Sequence, residues 1–346
     1  MQNILTGSGV AISNISFTGD NQQIGAFTSG NSIGMASGIV MSSGHATNAD
    51  IGGNPGAFNT PASGGLCNNT PNTICNDLYT VADSVPALIG QTFSVSSIND
   101  AAILEFDFIP ESDTIRFNYC FGSEEYLTWI NSSYNDVFGF FISGPGITGQ
   151  YSAPAGFPNG SINIATVPNS SPSLPITISS VNPGMYGQYY NTGTTISYNG
   201  YTDVFTASAT VIPCNVYHIK LAIADGSDES YDSGVFLEAG SFDATEPGAL
   251  NINTITSNIL CYGDTSGTVQ LCISGGVAPY TTNWFGINPN NLAAGTYNVS
   301  VTDVQGSSGS TIYIISEPSE LLVYGTLNGN TLEGSANGGT LGYTYN

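Results

Sequence analysis

The chain has 346 residues, and its 25 acidic side chains face only two basic ones, Arg116 and Lys220, for a formal net charge of −23. That length allows two or three domains with cores of their own, while the charge excludes nucleic acid as a partner, a polybasic membrane anchor and a phosphate-binding lysine loop. Forty-three glycines, 17 prolines and abundant Ser, Thr, Val, Ile and Tyr predict short strands joined by turns, with almost no helix.

No stretch approaches the roughly 18 apolar residues of a membrane span, so direct membrane insertion is not expected. The start MQNILTGSGV has no basic region or apolar run, which suits a mature form whose export signal has been removed. Six cysteines without a CxxC pair suit disulfides and an extracellular compartment better than zinc or redox chemistry. Sequence-local pairing joins Cys67 with Cys75 and Cys261 with Cys272, leaving Cys120 with Cys214, one of several connectivities that six cysteines allow.

The first chemical pattern in the chain is GNSIG at 30–34, which matches the nucleophile elbow G-x-S-x-G. The elbow needs a following helix, whereas MASGIVMSSG reads as a strand interrupted by glycine, and only His45 and His218 are available as a base. The segment NNTPNTI at 68–74 predicts a loop.

Strands are predicted at AILEFDFI, TIRFNYCF, DVFGFFIS, VYHIKLAIA and GVFLEAGSF. In TIRFNYCF, alternation places Ile115, Phe117, Tyr119 and Phe121 on one face and Arg116, Asn118 and Cys120 on the other. VYHIKLAIA splits likewise, so Arg116 and Lys220 are both expected on half-exposed faces. His218, on such a strand beside Lys220, reads as a structural or surface residue.

Two acidic loops follow predicted strands. FGSEEYLTWINSSYND carries Glu124, Glu125, Asn135 and Asp136, and ADGSDESYDSG carries Asp225, Asp228 and Asp232. If both lie at one end of a sandwich, carboxylates converge with only remote cations near them, and a hard divalent ion with oxygen ligands, Ca²⁺ first among them, relieves the repulsion. The other reading makes them solvated turn residues, favoured there for backbone reasons alone. The second loop is not an EF-hand, because the sixth position from Asp225 is Ser230, and two acidic loops do not specify a glycosidase pair. Between them, the Gly-, Asn- and Pro-rich stretch 150–200 reads as long loops, in which Tyr186, Tyr189 and Tyr190 read either as a glycan-stacking surface or as the ordinary tyrosines of turn-rich β loops.

The last third repeats itself. EPGAL at 246–250 returns as EPSEL at 317–321, and ISGGVAPYTTNW at 273–284 returns as SANGGTLGYTYN at 335–346. The predicted organisation is a β domain over 1–245, an immunoglobulin-like repeat over 246–321, and the start of a second, truncated repeat over 322–346. The fold class is all-β: a β-sandwich head followed by tandem immunoglobulin-like β-sandwich repeats.

GSGVAISNISFTGDNQQIGAF, SGIVMSSG, AAILEFDFIP, FGSEEY, YNDVFGFFISGPG and YHIKLAIADGSDESYDSGVFLEAGSF together resemble the choice-of-anchor L domain of Bacteroidota surface proteins, over about residues 3–243. SGGVAPYTTNW, LAAGTYNVSVTD and ISEPSEL resemble SprB repeats over 250–346. The resemblance implies a non-enzymatic adhesin exported by the type IX secretion system. It would be displayed on the outer membrane, engage the gliding machinery through a C-terminal region, and attach to surface polysaccharide or an abiotic surface. The first repeat departs from the pattern: Ser307 and Ser308 stand after VTDVQG, where a cysteine often lies, which leaves Cys272 as an alternative partner for Cys261. The other readings are a subunit or spacer of a surface filament and an accessory binding domain of a secreted hydrolase.

Overall fold

A computed structural model describes residues 2–28, 30–49, 67, 75–193, 196–244 and 250–340. The predicted loop at 68–74, the predicted boundary at 245–246 and the segment 341–346 lie outside them. The chain divides into two compact units, Met1–Thr245 and Glu246–Asn346. Both are built almost wholly of antiparallel strands.

In chain order the first unit contains α1 (Gln2–Leu5), β1 (Val10–Thr18), β2 (Ile24–Thr28), β3 (Ser37–Ser42), α2 (Asn76–Leu88), β4 (Ile98–Pro110), β5 (Thr114–Ser123) and β6 (Val137–Ser143). It continues with β7 (Ile162–Asn163), β8 (Tyr190–Thr192), β9 (Gly200–Thr202), β10 (Phe205–Thr210), β11 (Tyr217–Gly226) and β12 (Ser233–Glu238). One sheet has the order β1-β4-β11-β6-β7; the other runs β2-β3-β12-β5-β9-β8, with β10 also paired to β5.

Period-two alternation explains why these two sheets stack. Ile115, Phe117, Tyr119 and Phe121 of β5 and Tyr217, Ile219, Leu221 and Ile223 of β11 all point inward and are buried. Phe117 meets Phe140 and Phe242 edge to face at centroid separations of 5.3 and 5.6 Å, and Phe242 also meets Phe106 and Phe108. Each such ring removed from water contributes about 1.5–3 kcal/mol.

Three expectations are corrected. A 13-residue helix, α2, lies where no helix was expected. Leu78, Val81, Ala82 and Val85 recur at helical spacing and are buried, three of them against Ala101, Ile103, Phe141, Ala222 and Ala224 on the outer face of the first sheet. Lys220 is buried, not half exposed, because α2 brings Asp77 over it as an ion-pair partner. The stretch 150–200 is no plain surface loop: Leu174, Ile176, Ile178 and Val181 enter the main core.

The cysteine pairing also differs. Cys67 is bonded to Cys75 at the start of α2, whereas Cys120 and Cys261 are free thiols. Neither Cys120–Cys214 nor Cys261–Cys272 therefore forms. Cys120 faces outward from β5 into a second cluster with Met35, Tyr198 and Phe236, and donates its thiol hydrogen to the Thr202 carbonyl at 3.1 Å. Cys272 stands on a strand opposite Asn253, and Cys261 is exposed in a turn.

The second unit has β13 (Asn251–Ser257) paired with β14 (Thr268–Ser274), and a sheet of β15 (Thr281–Asn283), β16 (Gly295–Thr302) and β17 (Ser308–Ile315). Val269, Val299, Tyr313 and Ile315 from both sheets share one small core. A final hairpin, β18 (Leu322–Asn328) and β19 (Thr331–Asn337), is exposed nearly throughout.

Candidate functional site

Strand register brings the acidic residues together. In the first sheet, Asp225 of β11 stands opposite Asn99 of β4, beside Asp100, while Ala224 stands opposite Val137, so that Asp136 lies at the same level on the β6 side. In the second sheet, Ser233 of β12 is opposite Ser123 of β5, so Asp232 and Glu124 extend side by side; the Glu124 N–H donates to the Asp232 carbonyl at 3.1 Å. The two sheets thus supply carboxyls to one end of the sandwich.

These groups are buried. Relative exposure is 0% for Asp136 and Asp225, 1% for Glu125, 3% for Glu124 and Asp100, and 4% for Asp232, which rules out solvated turn residues for all of them. Asp136 accepts the Gly226 N–H at 3.0 Å and the Ser233 hydroxyl at 2.6 Å. Both oxygens of Asp225, and one oxygen each of Glu124, Glu125, Asn135 and Asp232, have no hydrogen-bond partner. Buried carboxylates in this condition are costly unless a proton or a cation neutralises them. Neither basic side chain does so, since Lys220 pairs with Asp77 and Arg116 lies toward the opposite end of β5.

Burial, reinforced by neighbouring carboxylates, raises the whole set. Asp136 and Asp100 are pushed up to about 7, Asp232 to about 8, Glu124 to about 9 and Glu125 to about 12. Asp225 is raised well above the carboxylate range by burial and then by the charges of Asp136 and Asp232. At neutral pH this pocket of oxygens holds protons or a cation.

The donors are hard oxygens, and serines 42, 43 and 233 line the same end: Ser233 N–H donates to Ser43 Oγ at 2.9 Å, and Ser42 Oγ–H donates to the Ser233 carbonyl at 3.1 Å. An all-oxygen donor set of this kind suits Ca²⁺ rather than zinc. Among the described residues no three His, Cys, Asp or Glu side chains already converge as metal ligands. A cation at this end of the sandwich would be held by carboxylate oxygens from both sheets, with hydroxyl, carbonyl or water oxygens as its remaining ligands. Gly44 keeps the space open, because a Cβ there would collide with the Asp232 carboxylate.

Asp228 is half buried and turned toward its own loop, accepting the Ser230 N–H at 3.3 Å. Asp100 was not singled out in the sequence; it lies in β4 with a left-handed φ of 49°, in a segment, INDAAI, that reads as plain strand. The three tyrosines are half buried and packed on the main core: Tyr186 and Tyr189 stack on each other, Tyr189 abuts Phe205, and Tyr190 abuts Tyr126. GNSIG forms a 3-10 turn over Gly30–Ile33, not a strand-to-helix elbow.

The fold is thus a two-sheet β sandwich with a buried nest of carboxyl oxygens at one end. Residues 1–243 match the choice-of-anchor L domain, and the chain belongs to that family. It is a family of non-catalytic surface domains, and membership makes this a cell-surface-associated protein. No curated protein matches the chain. No helix among the described residues is long and apolar enough to cross a membrane.

Proposed function

We propose that the chain is the head and the first stalk repeats of a secreted adhesin, and that Ca²⁺ bound by Asp225, Asp136, Asp232, Glu124 and Glu125 stiffens the head. The buried, unpartnered oxygens contributed by both sheets carry this reading, because they are expensive to bury without a counter-ion and a cation repays that cost by clamping the sheets together. Export by the type IX system, display on the outer membrane of a Bacteroidota-like cell, gliding, and a SprB-like second unit belong to the same reading. The charge of −23 keeps a long β array soluble and discourages strand edges from pairing. Beads coated with the chain should be retained on polysaccharide or glass under flow with calcium and released by chelator; retention equal to that of albumin-coated beads in both conditions would overturn the adhesin reading.

A second reading, a spacer that packs end to end in a surface filament, is favoured by the exposed Val323, Leu327 and Leu332 of the last hairpin, which are 69%, 74% and 75% accessible. Concentration-dependent assembly in sedimentation would support it.

A further inference from the structure

The outer face of the first sheet is only partly covered by α2. Beyond the helix, strand register sets two cross-strand rows side by side, Glu105–Lys220–Phe141 and Asp107–His218–Ser143. They line the open part of this face, where a cleft of about 240 Å³ is walled by Ser152, Pro154 and Ser161. Its back is fastened: Lys220 pairs with Asp77, its ammonium also reaches Ser152 Oγ at 3.1 Å and the Phe141 ring at 4.9 Å, and the Ser152 N–H donates to Asp77 at 2.9 Å. His218 lies between Glu105 Oε1, at 3.2 Å, and Asp107 Oδ1, at 2.8 Å, with Phe157 beside its ring. Ser143, which lines the cleft, is 1% exposed, and its hydroxyl has no partner.

We infer that this cleft binds one neutral, hydroxyl-rich ring, a single sugar residue of a polysaccharide. An anion is disfavoured, because Asp77, Glu105 and Asp107 outnumber Lys220 and His218 in a chain that is itself strongly negative. A purely apolar ligand would strip water from the partly exposed Glu105 carboxyl without replacing its hydrogen bonds, and would leave the enclosed Ser143 hydroxyl without a partner. A sugar offers both donors and acceptors to these groups, and apolar ring faces to Phe141 and Pro154. The volume falls below the ~300–1,000 Å³ usual for larger ligands, which suits one ring and not an extended chain. Because the walls are already held by hydrogen bonds, little ordering opposes binding. The site is distinct from the acidic cluster: Lys220 and Asp225 are five residues apart on β11, about 16 Å along the strand. The inference rests on the adhesin reading only for where the sugar comes from.

The test is ligand-observed NMR of the whole chain with glucose, galactose, mannose and N-acetylglucosamine at millimolar concentration, repeated with Ser143→Ala and Glu105→Gln. Ser143→Ala should melt at or above the wild-type temperature, since it deletes an unpartnered hydroxyl, yet bind the preferred sugar about tenfold more weakly. Glu105→Gln should also weaken binding. If no sugar binds the wild type, or both variants bind like it, the inference is wrong, and bead attachment measured in parallel still decides the adhesin reading. Sugar binding lost in the variants while beads fail to attach leaves the cleft standing and overturns the adhesin.

Discussion

Ser233, at the start of β12 in one sheet, donates its hydroxyl at 2.6 Å to Asp136, which leads into β6 in the other. This bond crosses between the sheets at the point where five further carboxyls are buried. The end of the sandwich is thus held by polar groups whose charge state decides whether they attract or repel.

Replacing Asp225 with Asn tests the cluster without changing its shape. Burial and the neighbouring Asp136 and Asp232 make Asp225 fold protonated in the metal-free chain although it is ionised when unfolded, so a neutral Asn, which needs no proton uptake, should stabilise the metal-free chain at neutral pH by about 1–3 kcal/mol. The same change should remove most of the stabilisation that calcium provides. Urea unfolding with calcium and with chelator reads both effects, and equal behaviour of variant and wild type would remove Asp225 from the site.

The raised carboxyls dictate the sign of the pH dependence. Groups whose folded values lie at about 7 (Asp100, Asp136), about 8 (Asp232) and about 9 (Glu124) hold protons in the folded state that the unfolded chain has released. Their contribution is complete below the ordinary carboxylate values near 4 and is lost as pH rises through 7 to 9. In chelator the melting temperature should fall from pH 5 to pH 9, and calcium should flatten that fall. A chelated protein that gains stability over this range contradicts the assignment.

Lys220 and Asp77 form a buried pair, so removing one partner should cost more than removing both. Lys220→Met leaves a buried carboxylate and should destabilise by about 3–5 kcal/mol, and adding Asp77→Leu should recover much of that loss. A double-mutant cycle by urea unfolding measures the difference.

Burial pushes the Cys120 thiol up to about 12, whereas Cys261 is exposed. The native chain should show one fast-reacting thiol toward an aromatic disulfide reagent, and two after unfolding without reductant. Two fast thiols in the native state, or none, would contradict the cysteine assignment.

Alternation made β5 and β11 legible in the sequence, because a buried sheet face imposes a period of two on its side chains. The acidic loops were legible as a pair, but their burial was not: whether Glu124 faces water or the other sheet depends on a partner strand more than 100 residues away. The helix α2 was hidden by Ser84, Pro86 and the aspartates among its apolar positions, although Leu78, Val81, Ala82 and Val85 keep helical spacing. Asp100 gave no signal because only the register of β4 with β11 brings it to the site. Cysteine connectivity was not legible, since spacing along the chain says nothing about which strand face a thiol occupies.

The most direct measurement of the central claim is thermal unfolding of the whole chain near pH 7.5 in excess calcium and in chelator. The account predicts a calcium-dependent rise of several degrees in the melting of the first unit, abolished by Asp225→Asn combined with Asp232→Asn. Superimposable curves in calcium and chelator would mean that the buried carboxyls carry protons instead of a cation, and the calcium-stiffened head would be wrong.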